Sequence, residues 1–255
     1  MIPTRSNTPA GAIGVILVIF SASLSLGSTI QIAVASNFAP AARQIGTQFE
    51  AETGHRVVLV AGSTGKHYAQ IRKGAPFDLF FAADSHRPAL LEEEGFGVPG
   101  SRFTYAVGKL VLWSSKPDRP VAGAEALESQ EFRYLAIANP KLAPYGQAAR
   151  QVLVSLGIWE ALQGRLVFGE NVGQAFHFVS SGNAELGFVA LSQLSRSSSA
   201  IQPGSHWRVE VDLYDPIEQQ ALLVVESSAA QSFVDFVKSA RGRSLIESFG
   251  YRTPQ

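Results

Sequence analysis

The chain has 255 residues, enough for two modest lobes with separate cores or for one large domain. Lys plus Arg and Asp plus Glu number 21 each, so no basic excess points to nucleic acid and no acidic tail to disorder. With no cysteine, composition excludes disulfides, thiolate metal sites, iron–sulfur clusters and cysteine nucleophiles.

Residues 1–27 stand apart. Arg5 gives a weakly positive start, Ile13 to Phe20 is apolar throughout apart from Gly14, and Ser25-Leu26-Gly27 supplies the small residues of a cleavage site. This pattern predicts a secretory signal peptide cut after Gly27 and an exported mature chain. A membrane anchor is the alternative, but the run is shorter than the ~20 residues a spanning helix needs and no basic flank follows it.

Ile30 to Ala35 reads as a strand buried on both faces, followed by Ser36-Asn37 and a helix from Ala39 to Thr53 with Gly54 as its cap. Arg56 to Ala61 reads as a second strand. It runs into Gly62-Ser63-Thr64-Gly65 and a short helix ended by Gly74-Ala75-Pro76. A third strand over Asp78 to Ala83 and a helix over Ala89 to Glu94 continue the alternation, which predicts βαβ units on a mainly parallel sheet. Phe103 to Trp113 is too long for one ordinary strand, with Gly108 in its middle, and reads as a crossing between lobes.

Further βα units follow. A strand over Tyr134 to Ala138 leads through Asn139 to Gly146 into a helix over Gln147 to Leu156, with Pro144 suited to its first turn. Leu166 to Phe168 leads through Asn171-Val172-Gly173 into a helix to Val179, and Leu186 to Leu191 is another buried strand. Ser195-Arg196-Ser197-Ser198-Ser199 reads as a solvated loop. Val209 to Val225 reads as a second long extended stretch, interrupted by Pro216, and is the return crossing, and helices over Ala229 to Ser239 and Gly242 to Phe249 rejoin the first lobe. The expected fold is α/β: lobe 1 from 28–106 and 214–255, lobe 2 from 107–213 inserted into it, and hinges near Tyr105 to Leu112 and Leu213 to Leu222.

Four turns therefore share one plan: Ser36-Asn37, Ser63-Thr64-Gly65, Pro144-Tyr145-Gly146 and Asn171-Val172-Gly173. Each follows a buried strand and opens a helix, whose first amides lack intrahelical partners and carry the positive end of the helix dipole. In open α/β sheets ligands sit beyond such strand ends, so a cleft lined by these turns would hold a small anion without a counter-charge. The bland reading of any one turn is a helix cap.

Rival motifs are poorer. Gly65-Lys66 resembles the end of a phosphate-binding loop, but that motif needs a glycine at Val60 and a hydroxyl at His67. The five histidines show no metal-ligand spacing, and Asp84 with His86 is explained by a turn as well as by an acid–base site. No GxSxG elbow is present. Trp113, Trp159 and Trp207 lie in apolar surroundings and read as core residues.

Taken in order, the motifs resemble those of the periplasmic molybdate-binding proteins of ABC importers. They are Ala35-Ser36-Asn37-Phe38, Gly62-Ser63-Thr64-Gly65, Lys73-Gly74-Ala75-Pro76-Phe77-Asp78-Leu79-Phe80, Pro99-Gly100-Ser101-Arg102-Phe103-Thr104-Tyr105, Ala143-Pro144-Tyr145-Gly146, Asn171-Val172-Gly173-Gln174-Ala175 and Gly187-Phe188-Val189-Ala190-Leu191. The resemblance covers essentially the whole mature chain and implies a two-lobe type II periplasmic-binding-protein architecture. It also implies a monomeric periplasmic receptor, with neither cofactor nor nucleic acid, that hands molybdate or tungstate to a membrane permease. Ser36, Asn37, Thr64, Tyr145 and Val172 would hold the anion through its oxygens, with no direct ligand to the metal; Tyr145 and Val172 would act through main-chain N–H groups. One departure is Ala190, where some members place a tyrosine hydroxyl on the anion. Asn37, where those members have serine, is the expected replacement donor.

Two other readings stay open on sequence. One is a receptor for another small anion such as sulfate or a carboxylate, although a carboxylate site would more often contain an arginine fork, absent from all four turns. The other is an enzyme using the cleft as an oxyanion hole, for which no nucleophile–base pair is evident. Hydroxymethylbilane synthases resemble this architecture, but attach their cofactor through a cysteine that this chain lacks.

Overall fold

The computed structural model describes residues 27–129, 131–195 and 204–254. The expected export segment and the serine-rich loop lie outside them, apart from Gly27 and Ser195.

The chain opens with β1 (Thr29–Ala35) and α1 (Ala39–Thr53). Helix α1 turns Ala41, Ala42, Ile45 and Phe49 into the core and ends on Gly54, whose φ of 72° is the left-handed conformation that glycine adopts without a Cβ penalty. β2 (Arg56–Gly62), α2 (Thr64–Arg72), β3 (Leu79–Phe81) and α3 (His86–Glu93) continue the alternation. Helix α3 starts at His86 rather than Ala89 because the Asp84 carboxylate accepts the Arg87 N–H at 2.9 Å and stabilises an earlier first turn.

The long apolar run divides into β4 (Phe103–Gly108) and β5 (Leu110–Ser114), which join different sheets. Next come α4 (Glu125–Glu128), β6 (Leu135–Ala138), α5 (Pro144–Ser155), β7 (Leu166–Gly169), α6 (Val172–Ser180), β8 (Leu186–Ala190) and α7 (Leu191–Leu194). β9 (Ser205–Arg208), β10 (Ile217–Leu223), α8 (Ser228–Lys238) and α9 (Ala240–Ser248) complete the order. The return crossing is extended only from Ile217 onward. Residues 209–216 form a loop with a turn closed by Leu213 N–H to Glu210 O, and Pro216, which cannot donate to a ladder, precedes β10.

The first sheet has the order β2-β1-β3-β10-β4 and the second β7-β6-β8-β5-β9. In each, the first three strands are mutually parallel and the fourth is antiparallel to both neighbours. The fourth place is taken in one sheet by the returning strand β10 and in the other by the departing strand β5. The protein is thus a two-lobe α/β fold, built twice on one plan, with the second lobe inserted in the first.

Phe49, Phe81 and Phe233 pack edge to face in the first core, and Trp113 stacks on Phe176 in the second. Trp113 and Trp207 are buried, and Trp159 packs half-buried against the second core. No helix among the described residues is long and apolar enough to cross a membrane.

Candidate functional site

Because the two sheets share a plan, each presents two neighbouring strand-to-helix turns, and the four turns converge. In the first lobe Ser36 N–H donates to Gly62 O at 2.9 Å and ties the end of β1 to that of β2; Asn139 N–H to Gly169 O, at 2.7 Å, does the same for β6 and β7. Phe38 fixes the first turn by packing on Phe81, Tyr105 and Tyr251. Ser63 caps α2 by accepting Lys66 N–H, Asn171 caps α6 by accepting Gln174 N–H, and Pro144 opens α5.

The convergence encloses a small cavity lined by Ser36, Asn37, Ser63, Thr64, Tyr145 and Val172, with glycine, alanine and proline between them and Asn171 at one side. The structure therefore brings together all five residues singled out in the sequence. Among the described residues, no Asp, Glu, Lys, Arg or His lines the cavity. The main-chain N–H groups of Asn37, Thr64, Tyr145 and Val172 have no acceptor among the described residues, as expected at turns that open helices.

The hydroxyls are oriented by their own acceptor bonds. Ser36 Oγ accepts Gly173 N–H at 3.1 Å and Thr64 Oγ1 accepts Ala83 N–H at 3.0 Å. With one lone pair of each hydroxyl engaged by the protein, its proton is free to point to an acceptor in the cavity. The arrangement is neutral and rich in donors, which suits an oxyanion that brings only acceptors.

Contacts across the cleft hold the lobes together. Besides Gly173 to Ser36, Gly65 N–H donates to Leu142 O at 2.9 Å, Arg87 Nη2 to Lys141 O at 3.2 Å, and Lys66 pairs with Glu170 at 3.1 Å. Lys66 is thus directed to a solvated ion pair rather than into the cavity.

A buried polar network lies beside the site. Asn37 Nδ2 donates to Gln219 Oε1 at 2.8 Å and to Tyr251 OH at 3.0 Å, and Gln219 Nε2 reaches Tyr145 OH at 3.4 Å. Tyr251 OH also meets Ser192 Oγ, which donates to Asn37 O. Burial holds the hydroxyls of Tyr105, Tyr145 and Tyr251 above the ordinary tyrosine range, so all three stay protonated.

The side-chain amide of Asn37, the expected replacement donor, is joined to Gln219 and Tyr251, and its main-chain N–H has no acceptor among the described residues. Ala190 is buried, and its own N–H is taken by Gln193 Oε1 at 2.9 Å. Asp84, weighed above as part of an acid–base or metal fragment, is occupied by Arg87 in an ion pair and a helix cap.

Sequence reasoning passed over Gln219, Tyr105, Tyr251 and Ser192. For Gln219 a signal existed: the period of two in β10 places it with Ile217 and Ala221 on the buried face, where an amide needs partners. The tyrosines and the serine come from distant parts of the chain and carry no local signature.

The profile of the family described as bacterial extracellular solute-binding protein matches residues 30–252. The chain is 49% identical over 225 residues to the molybdate-binding protein ModA of Azotobacter vinelandii, covering 87% of this chain and 89% of that one. It is 44% identical over 247 residues to ModA of Rhodobacter capsulatus, covering 96% of each. The solved structure of the Azotobacter vinelandii periplasmic molybdate-binding protein superposes with a TM-score of 0.84 at 43% identity, covering 89% of this chain and all of that one. By profile, identity and fold together, the chain belongs to the molybdate-binding proteins within the bacterial extracellular solute-binding proteins.

Proposed function

We propose that the protein is an exported receptor that closes its lobes on molybdate or tungstate and delivers the anion to the permease of an ABC importer in the cytoplasmic membrane. The observation that carries this reading is the neutral, donor-lined cavity between the lobes. Ser36 and Thr64 donate hydroxyl protons, and Asn37, Thr64, Tyr145 and Val172 donate main-chain N–H groups, so the metal is held only through its oxygens. Lobe 1 comprises 28–106 and 214–255, lobe 2 comprises 107–213, and residues 1–27 are the export signal.

Donors alone also set the selectivity. Phosphate at neutral pH carries a proton that a donor-only cage leaves unmatched, and sulfate is too small to reach all the donors at once. Closure follows because the anion contacts both lobes and so favours the closed state over the open one. The receptor works as a monomer without a cofactor or a nucleic-acid partner and catalyses no reaction: among the described residues that line the cavity, the one with a titratable side chain is Tyr145, whose hydroxyl burial keeps protonated and so unable to act as a base.

A competition titration of the mature protein by calorimetry, with molybdate, tungstate, sulfate and phosphate, tests the reading. Molybdate and tungstate should bind tightly and displace each other, with sulfate and phosphate far weaker. Sulfate bound as tightly as molybdate would overturn the specificity.

A further inference from the structure

A second concavity, with a volume of about 370 Å³, lies at the hinge. Its walls come from both crossings between the lobes and from the carboxyl-terminal segment. Val107 ends β4 beside Gly108, Lys109 joins β4 to β5, and Val211, Tyr214 and Pro216 belong to the loop that precedes β10. Arg252 is tied to Val107 by main-chain bonds in both directions: Val107 N–H to Arg252 O at 2.7 Å, and Arg252 N–H to Val107 O at 3.3 Å. Tyr214 OH accepts the Leu110 N–H at 3.2 Å, which fixes the ring against the start of β5.

Two features of this pocket call for a ligand. Val211, 81% exposed, is the most exposed large apolar side chain among the described residues, and it stands with Val107, Tyr214 and Pro216 in an indentation of the size that small molecules fill. Lys109 and Arg252 add two positive charges, and neither side chain makes a hydrogen bond or ion pair among the described residues. No Asp or Glu among the described residues lines the pocket. An apolar wall beside two unpaired cations is complementary to an anion that carries an apolar body.

We propose that the hinge pocket is a second ligand site, for a small carboxylate with an apolar body, and that its occupancy raises the affinity of the oxyanion cavity. The site stands on its own geometry; its effect on the cavity rests on the oxyanion reading above. Parting the lobes changes the crossings that form the pocket walls, so the shape described belongs to the lobes drawn together. A ligand that fits this shape favours closure, and by linkage molybdate raises the affinity of that ligand by the same factor. Gly108 joins the two concavities. It lines the hinge pocket, and a Cβ on it would lie 2.2 Å from the hydroxyl of Tyr145, a residue that lines the oxyanion cavity.

The test titrates phenylacetate into the mature protein, without molybdate and then with molybdate at saturation, and follows main-chain amide signals by nuclear magnetic resonance. Phenylacetate should shift signals of the hinge residues saturably at millimolar concentration or below. Phenylacetamide, which has the same body without the charge, should bind at least about tenfold more weakly, and so should phenylacetate to the double variant Lys109→Gln with Arg252→Gln. Val211→Ser should weaken binding about threefold. All three side chains are exposed, so melting curves of the variants should match the wild type. Their molybdate affinity without phenylacetate should also match it at physiological salt, where distant charges are screened. Phenylacetate at saturation should tighten molybdate binding about fivefold in the wild type and leave it unchanged in the double variant.

Equal binding of phenylacetate and phenylacetamide, undiminished binding by the folded double variant, displacement of phenylacetate by molybdate, or no saturation at millimolar concentration would overturn the hinge site and leave the oxyanion reading standing. Saturable binding that leaves the molybdate affinity of the wild type unchanged would overturn the coupling. A wild-type protein that binds no oxyanion would overturn the oxyanion reading and the coupling with it, while the titration without molybdate would still decide for or against the hinge site.

Discussion

Ser36 Oγ in the first lobe accepts a hydrogen bond from the Gly173 main-chain N–H in the second, at 3.1 Å. Ser36 also lines the cavity, so one residue both borders the proposed site and joins the lobes. Ser36→Ala should remove a donor and the link together. Loss of a hydrogen bond to a charged group predicts molybdate binding weaker by about ten- to a hundredfold. Small-angle scattering should show the variant staying more open at a molybdate concentration that closes the wild type. Unchanged affinity would remove Ser36 from the site.

Gly65 is a test of closure that leaves the ligand contacts alone. A Cβ there would lie 2.9 Å from Leu142 O and 3.2 Å from Leu142 Cα, both backbone atoms of the opposite lobe. Gly65→Ala should therefore hold the lobes apart and weaken binding, while the melting temperature without ligand stays level or rises, since alanine favours helix α2 over glycine by about 1 kcal/mol. A variant that binds as tightly as the wild type would mean that the lobes need not approach this closely.

Thr64 and Lys66 are neighbours in one helix turn with opposite expectations. Thr64→Ala removes a hydroxyl from the cavity and leaves the buried Ala83 N–H unpaired, so both affinity and stability should fall. Lys66→Ala breaks an ion pair whose side chains are 51% and 36% exposed, worth about 0–1 kcal/mol. Calorimetry at low and high salt should show a small, salt-sensitive loss for Lys66→Ala and a larger, salt-insensitive one for Thr64→Ala. The reverse order would mean that the lysine charge, rather than a neutral cage, holds the anion.

These turns were legible because their information is local. A buried strand, a small polar turn and an amphipathic helix repeat along the chain, and the physics of helix starts says where the unpaired N–H groups must be. Gly54 as a cap and Pro144 in a first turn follow from the same rules. The network behind the site was not legible in the same way. Tyr105, Ser192, Gln219 and Tyr251 are joined only by the packing of two lobes and the carboxyl end, and no spacing in sequence encodes which amide atom of Asn37 turns toward Gln219. The loop over 209–216 was misread as extended because its apolar residues, Val209, Val211 and Leu213, mimic strand alternation.

His67 lies beneath the Gly62-Ser63-Thr64 turn, 1% exposed, with Nε2 at 3.3 Å from Val34 O and Nδ1 at 3.1 Å from Gln70 Oε1. Burial lowers its pKa below 6.5, despite the opposing effect of these two hydrogen bonds. The unfolded chain then takes up the proton at a higher pH than the folded one. The resulting stability is present above pH 6.5 and is lost as pH falls from 6.5 toward the lowered folded value. Melting temperatures across this window should fall more steeply for the wild type than for His67→Gln; parallel curves would show that His67 does not titrate differently on folding.

Gly108, at the end of β4, has no positive φ to explain it, so its reason is space. A Cβ would lie 2.2 Å from Tyr145 OH and 2.6 Å from Gln219 Nε2, two buried side chains that bridge the lobes. Gly108→Ala must push Tyr145 back, and with it the start of α5 that carries the Tyr145 N–H. Overpacking of this kind costs about 1–3 kcal/mol, to be read as a lower melting temperature, and molybdate binding should weaken as well. Adding Tyr145→Phe removes the hydroxyl that the new methyl meets first and should recover part of the stability. If the double variant is no more stable than Gly108→Ala alone, the clash with Tyr145 is not the cause.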